Sequence, residues 1–209
     1  MVRQITAHSG CDDTVQNSLE YVKHAVSTKA DAVEIDVRKL PDGQMVLTHN
    51  ESDSDSLVSL KTAFEIILAS GKMVNCDLKE YNLEDDVLAV VKEVGLSTDK
   101  IVLSGSVTNP SEHVKKYPML KAYINAEEVL PGFYDNFEKD KLIVSCLAYG
   151  FDVLNINYKV LDDEFINKCN KAGLKISAWT INDVSIIDNY FDKGLFNITT
   201  NRITEYYNK

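Results

Sequence analysis

Residues 73–104 read MVNCDLKEYNLEDDVLAVVKEVGLSTDKIVLS. An extended run, Met73–Leu78, leads into a helical run, Leu83–Val94, and then into a second extended run, Ile101–Ser104. Strand, helix and strand within about thirty residues make a βαβ unit, whose crossover helix places the two strands parallel in one sheet. The same alternation extends in both directions. Toward the N-terminus, Gln4–Ala7 is a strand and Asn17–Ser27 a helix with Leu19, Val22 and Ala25–Val26 at helical spacing. Ala32–Val37 alternates as a strand should, and Gln44–Thr48 continues as a second extended piece across the turn Pro41-Asp42-Gly43. Leu60–Ala69 reads helical, with Ala63, Phe64, Ile67 and Leu68 on one face.

Toward the C-terminus, Asn109–Lys116 is a short helix entered through Asn-Pro-Ser, and Leu120–Ile124 a strand. Asn136–Tyr149 reads helical in part. Val153–Asn157 (strand), Asp162–Ala172 (helix, ended by Gly173), Leu174–Trp179 (strand), Val184–Asp192 (helix, ended by Gly194), Phe196–Thr199 (strand) and a short helix at Ile203–Tyr207 complete the pattern. Open doubly wound sheets usually stop at about six strands, so eight strand–helix units point to an α/β fold of the closed (β/α)8 TIM-barrel type. At 209 residues each unit has about 26, near the lower size limit of that barrel. The expectation is therefore one compact domain over residues 1–209 with few long insertions.

The 22 Lys and Arg against 32 Asp and Glu give a net charge of −10. That balance argues against a nucleic-acid groove, which needs a basic surface to neutralise phosphates. It leaves room for a small anion held by a metal or a few lysines. No run of about 20 apolar residues is present to form a transmembrane segment, and the N-terminus does not read as a secretory signal. Cys11, Cys76, Cys146 and Cys169 form no CxxC pair. They are expected as four reduced core thiols in a cytoplasmic protein. The sequence leaves the oligomeric state open.

In such a barrel the chemistry sits at the C-terminal ends of the strands. His8 ends the first strand, and Glu34 and Asp36 end the second, two apart and so on one face. His49 follows the extended Gln44–Thr48. Asp77 and Lys79 end the third barrel strand, again on one face, and Trp179, the only tryptophan, ends the seventh. Three carboxylates converging in a low-dielectric mouth repel one another, and a hard divalent cation with all-oxygen ligands, Mg2+ or Ca2+, removes that cost. Two imidazoles beside it can act as general acid and base, and Lys79 adds a positive charge. Together they make a site for a phosphoryl group with one ester bond to break. Each residue also has a plain use: Asp-Leu-Lys as a surface ion pair, a lone Trp or His as packing. Their shared position at one end of the barrel singles them out. His24 and His113, on helices, are expected at the surface, and Glu84-Asp85-Asp86 as a charge cluster at a helix start.

These residues resemble the motifs of the glycerophosphodiester phosphodiesterases, within the wider superfamily of barrels that includes phosphatidylinositol-specific phospholipase C. The family's His-Arg-Gly followed by Glu-Asn-Thr stands here as His8-Ser9-Gly10 and Gln16-Asn17-Ser18. Its Glu-x-Asp strand, Asp-Gly turn and His-Asp stand as Glu34-Ile35-Asp36, Asp42-Gly43 and His49-Asn50. Its Glu-x-Lys is Asp77-Leu78-Lys79, and its Trp-Thr-Val-Asn with a later Ile-Thr-Asn-Arg is Trp179-Thr180-Ile181-Asn182 with Ile198-Thr199-Thr200-Asn201-Arg202.

The resemblance covers nearly the whole chain. It implies hydrolysis of a glycerophosphodiester to glycerol 3-phosphate and an alcohol, by attack of a substrate hydroxyl through a cyclic phosphate. Glu34, Asp36 and Asp77 would hold the cation, and His8 and His49 would be the acid–base pair. Lys79, Trp179 and Ser9 would meet the small-molecule phosphodiester. Ser9 replaces the family's Arg and loses a bidentate phosphate contact, and Gln16 replaces a Glu. These departures keep two alternatives open: a different phosphodiester, such as a lysophospholipid or sugar phosphodiester, or a non-catalytic phosphate-binding barrel. The short Asn50–Ser59 connection lacks the insertion that family members commonly carry after the second histidine, which implies an open mouth.

Overall fold

The computed structural model describes residues 3–51 and 56–209. The strands are β1 (Gln4–Ala7), β2 (Ala32–Lys39), β3 (Met45–Leu47), β4 (Met73–Leu78), β5 (Ile101–Gly105), β6 (Lys121–Ala122), β7 (Ile124–Asn125), β8 (Val153–Asn157), β9 (Lys175–Trp179) and β10 (Asn197–Thr200). The helices are α1 (Leu19–Ser27), α2 (Leu60–Ser70), α3 (Glu84–Val94), α4 (Pro110–Lys116), α5 (Ala126–Val129), α6 (Phe133–Asn136), α7 (Lys139–Ala148), α8 (Asp163–Ala172), α9 (Val184–Asp192) and α10 (Ile203–Asn208).

Pairing runs β6-β5-β4-β2-β1-β10-β9-β8-β7, all parallel, and β3 hangs antiparallel on β2. The two ends of that order, β6 and β7, are separated only by Tyr123. Lys121 and Ala122 pair with β5, and Ile124 and Asn125 pair with β8. The expected fifth barrel strand, Leu120–Ile124, is thus one strand broken at a single residue, and it closes a (β/α)8 barrel. Tyr123 still donates its N–H to the Leu103 carbonyl at 2.8 Å. Its ring forms a small cluster with Val102, Val153 and Phe196.

Strand register decides what faces the barrel axis. Glu34 lies beside Asn75 and Asp36 beside Asp77. Asn75 in turn lies beside Val102, and Asp77 beside Ser104. The alternate positions, Val33, Ile35 and Val37 on β2, Val74, Cys76 and Leu78 on β4, and Ile101 and Leu103 on β5, are fully buried with the helix residues Phe64, Ile67, Val87 and Val91. Each such side chain contributes about 1.5–3 kcal/mol by leaving water. The period-2 alternation therefore carries the core on one face of the sheet and the chemistry on the other. All four cysteines are buried and free, as expected.

Local signals set the helix ends. Ser59 caps α2 by accepting from the Thr62 N–H at 3.1 Å, and Gly71 ends it in the left-handed region. Differences from the sequence reading are local. Leu68 is 40% exposed, at the edge of the α2 stripe rather than on it. The helix expected from Asn17 begins at Leu19, because Asn17 takes φ +56° and turns its side chain toward β2. Asn136–Tyr149 resolves into the end of α6 and then α7, and α5 was not legible. Within the short connection after His49, residues 52–55 lie outside the described residues.

Candidate active site

A cavity of about 520 Å3 opens at the C-terminal ends of the strands. His8, Glu34, Asp36, His49, Asp77, Lys79 and Trp179, the seven residues singled out by their place at the barrel mouth, all line it; of the eight candidates only Ser9 rests on the resemblance alone. Ser9 is the exception. It is buried beneath the wall, its hydroxyl accepting from the Asn17 N–H at 2.9 Å. Its own N–H donates to Glu34 Oε2 at 2.7 Å. Ser9 thus supports a carboxylate from behind and does not reach the cavity, contrary to the expected substrate contact.

Glu34, Asp36 and Asp77 each bring one oxygen within 4.8 Å of the others. Each is held. Asp36 accepts from Asn17 Nδ2 at 2.6 Å, and its N–H donates to Asn17 Oδ1 at 3.0 Å. Lys79 Nζ sits 2.8 Å from Asp36 Oδ1 and also pairs with Asp77. Ser104 Oγ donates to Asp77 Oδ1 at 2.9 Å. Gly105, at φ +77°, leaves the space beside it: a Cβ there would stand 2.7 Å from Asp77 Oδ1 and against the Leu78 carbonyl.

Burial, then repulsion from Asp36 and Asp77, pushes the Glu34 carboxyl well above its ordinary value, against the Ser9 N–H and Lys79. Burial alone would lower Lys79, but Asp77 and Asp36 outweigh it and hold the ammonium well above its usual range. Three oxygen ligands, one of them reluctant to ionise in the protein alone, suit a hard divalent cation.

The His8 ring places Nδ1 3.0 Å from the Ser9 carbonyl and 3.0 Å from Asn201 Oδ1. A carbonyl only accepts, so Nδ1 is the donor here, and in the neutral ring the lone pair is on Nε2. His49, from the exposed segment after β3, has Nδ1 3.0 Å from Asn50 Oδ1.

The opposite wall was not legible in the sequence. Asn125 ends β7, Glu127 follows on α5, and Asn155 lies on β8; all three line the cavity. Asn125 and Glu127 have the same i, i+2 spacing as Glu34 and Asp36, at the end of the strand read as Leu120–Ile124. The strand-end rule carried one residue further reaches Asn125; Glu127 lies beyond it on α5. A hydrogen-bonded chain supports this wall across five strands. Thr6 Oγ1 donates to Asn197 Oδ1, Asn197 Nδ2 to Ser177 Oγ, Ser177 Oγ to Asn155 Oδ1, and Asn155 Nδ2 to Asn125 Oδ1, at 2.7–2.9 Å.

Outside the mouth, one expectation is corrected, and Glu84-Asp85-Asp86 do open α3. His113 is not at the surface: its side chain is fully buried between Tyr117 and Phe151, with Nδ1 3.6 Å from Glu84 Oε1. Glu84 is likewise buried, accepting from the Thr108 N–H at 2.7 Å and from its hydroxyl at 3.0 Å. His24 is partly exposed and pairs with Asp12 at 2.9 Å. Cys11, Asp12 and His24 form a second close cluster, but the Asp12 carboxylate is already engaged by His24 and by the Thr204 N–H and hydroxyl at the start of α10.

No family model matches the chain. In sequence it is 22% identical over 225 residues to a glycerophosphodiester phosphodiesterase of Caldanaerobacter subterraneus subsp. tengcongensis, covering 94% of this chain and 93% of that protein. Among solved structures, a protein of Agrobacterium tumefaciens proposed to be a glycerophosphoryl diester phosphodiesterase superposes with a TM-score of 0.86 at 14% identity, over 100% of this chain and 97% of that one. The glycerophosphodiester phosphodiesterase of Thermotoga maritima gives 0.76 at 18% identity, over 100% and 98%. A phosphodiesterase of Oleispira antarctica, solved with its product sn-glycerol-3-phosphate, gives 0.75 at 20% identity, over 98% and 95%.

Proposed function

We infer that this chain, which resembles the glycerophosphodiester phosphodiesterases in fold and over nearly its whole length in sequence, is a phosphoric diester hydrolase that cleaves a glycerophosphodiester to glycerol 3-phosphate and an alcohol. The observation that carries the reading is the convergence of three buried or half-buried carboxylates and Lys79 at the C-terminal mouth of the barrel, flanked by two histidines.

Glu34, Asp36 and Asp77 would hold a divalent cation, Mg2+ or Ca2+, since they offer only oxygen donors. Once bound, such an ion polarises a phosphoryl oxygen and offsets the carboxylates' mutual repulsion. Asp77 has a shorter arm than the Glu of the family motif, and Ser104 and Lys79 fix its position. Lys79 is the one Lys or Arg lining the cavity among the described residues, so it meets the phosphoryl charge that the missing Arg would otherwise share. Trp179 closes the wall beside the substrate. His8, with Nε2 unprotonated, takes the proton from the substrate hydroxyl next to the phosphoryl group. That oxygen attacks phosphorus as the bond to the departing alcohol breaks, and His49 gives the departing oxygen its proton. Water then opens the resulting cyclic phosphate with the two histidines in exchanged roles, giving glycerol 3-phosphate. Four buried thiols are consistent with a reducing cytoplasm, and we read residues 1–209 as one catalytic domain.

The test is hydrolysis of a glycerophosphodiester before and after EDTA, followed by readdition of Mg2+ or Ca2+. Activity should vanish and return. Turnover that persists after chelation rules out the metal assignment. A phosphodiester that binds but survives prolonged incubation with either ion indicates instead the non-catalytic barrel to which Ser9 and Gln16 would point.

A further inference from the structure

Glu127 is a half-buried carboxylate in the cavity wall that no cation pairs among the described residues. Its Oε2 is shut off from solvent and has no hydrogen-bond partner. Native proteins rarely leave a buried carboxylate oxygen unmet, and those in a cavity wall usually await a ligand. Burial, with Asp77 adding to it, raises this carboxyl above its ordinary value. Next to it, the Asn125 carbonyl oxygen is already engaged by Asn155, which leaves the Asn125 NH2 as the available donor. Trp179 Nε1 is a second donor without a partner. This side of the cavity therefore has one unmet acceptor group beside unmet donors. A hydroxyl, which both donates and accepts, answers that pattern; a quaternary ammonium group answers only the carboxylate. Among the described residues Trp179 is the one Phe, Tyr or Trp lining the cavity, and a single such ring makes no aromatic cage for a cation.

Displacement at phosphorus is in line, so the attacking and departing oxygens lie on opposite sides of the phosphoryl group. With the attacking hydroxyl at His8 and the departing oxygen at His49, the body of the departing alcohol would reach across the mouth toward β7, β8 and β9. We propose that Glu127, with Asn125, determines specificity for the departing alcohol, and that this alcohol is a polyol. The Glu127 carboxylate would accept from its hydroxyls, and the Asn125 NH2 would donate to a hydroxyl oxygen. The proposal rests on the phosphodiesterase reading above.

The test compares diesters that share glycerol phosphate and differ only in the second arm: glycerol or inositol against choline. Wild type should favour the polyol arms in kcat/KM. Glu127→Gln and Glu127→Ala should reduce the polyol-to-choline preference by about 10- to 100-fold, mainly through KM, the range expected when a site built to bind a hydroxyl loses its partner. Metal affinity, measured by calorimetry, should stay at the wild-type value in both variants. An unchanged preference ratio, a wild-type preference for choline, or weakened metal binding in Glu127→Gln each overturns the proposal while the phosphodiesterase reading stands. A wild-type protein that hydrolyses none of the diesters with metal present overturns that reading and this proposal with it.

Discussion

The two sides of the barrel mouth are built from the same kinds of side chain and finished differently. On the side of β1, β2 and β4, every carboxylate is engaged: Glu34 by the Ser9 N–H, Asp36 by Asn17 and Lys79, Asp77 by Lys79 and Ser104. On the side of β7, β8 and β9, the amides are locked to one another, while Glu127 Oε2 and Trp179 Nε1 have no partner. Catalysis needs groups already in place when charge develops, since reorganising them during reaction raises the barrier. Recognition needs groups whose partners arrive with the ligand. The contrast assigns preorganised chemistry to the first side and substrate reading to the second.

That division breaks most visibly at the histidines. His8→Ala or His49→Ala should each lower turnover by about 100-fold or more, as expected for loss of a general acid or base, with folding unchanged by circular dichroism. Near-wild-type rates in both variants would remove the acid–base pair from this side. A smaller effect sharpens the comparison between supporting residues. Asn17→Ala removes the donor to Asp36 Oδ2 and the acceptor for its N–H. Metal affinity should fall by about 10- to 100-fold, and stability by about 1–3 kcal/mol from the unmet buried groups. Asn155→Ala breaks the chain behind the opposite wall and should lower stability without changing metal affinity. Calorimetric titration with Mg2+ or Ca2+ checks both, and equal losses would show that the two sides are not separate.

The first side was legible in the sequence because it rests on strand alternation. Glu34 with Asp36 and Asp77 with Lys79 share a face by period 2 alone, whatever else the chain does. What surrounds them was not legible. Ser9 looks like a substrate contact from its place in the motif, but the local turn buries it under Glu34, and no pattern in one sequence shows which way a loop hydroxyl turns. Glu127 was missed because the strand before it breaks at Tyr123 and the helix that carries it has four residues, too short for any periodicity. A polar residue on a helix is expected at the surface, and His113 is not there. Its burial depends on Phe151 and Glu84, far away in sequence, and tertiary packing overrides the local pattern.

The same contrast between structural and functional carboxylates appears in their ionisation, and it yields the smallest expected effect. Burial works against Glu84, yet the His113 ring and the two Thr108 hydrogen bonds outweigh it and lower its carboxyl to about 2. A depressed folded value means the group stabilises fully above its unfolded value, and this stabilisation is lost as pH falls toward 2. Glu34 has the opposite sign: its folded value is raised, so in the metal-free protein it favours folding less as pH rises through the acid range and beyond. In urea melts of metal-free protein, the stability advantage of wild type over Glu84→Gln should therefore shrink from pH 6 to pH 3, by on the order of 2 kcal/mol. Glu34→Gln should gain on wild type as pH rises over the same interval. Parallel slopes for the two variants would mean that Glu34 is a structural carboxylate like Glu84. Opposed slopes are what a site holding unfavourable charge for a cation requires.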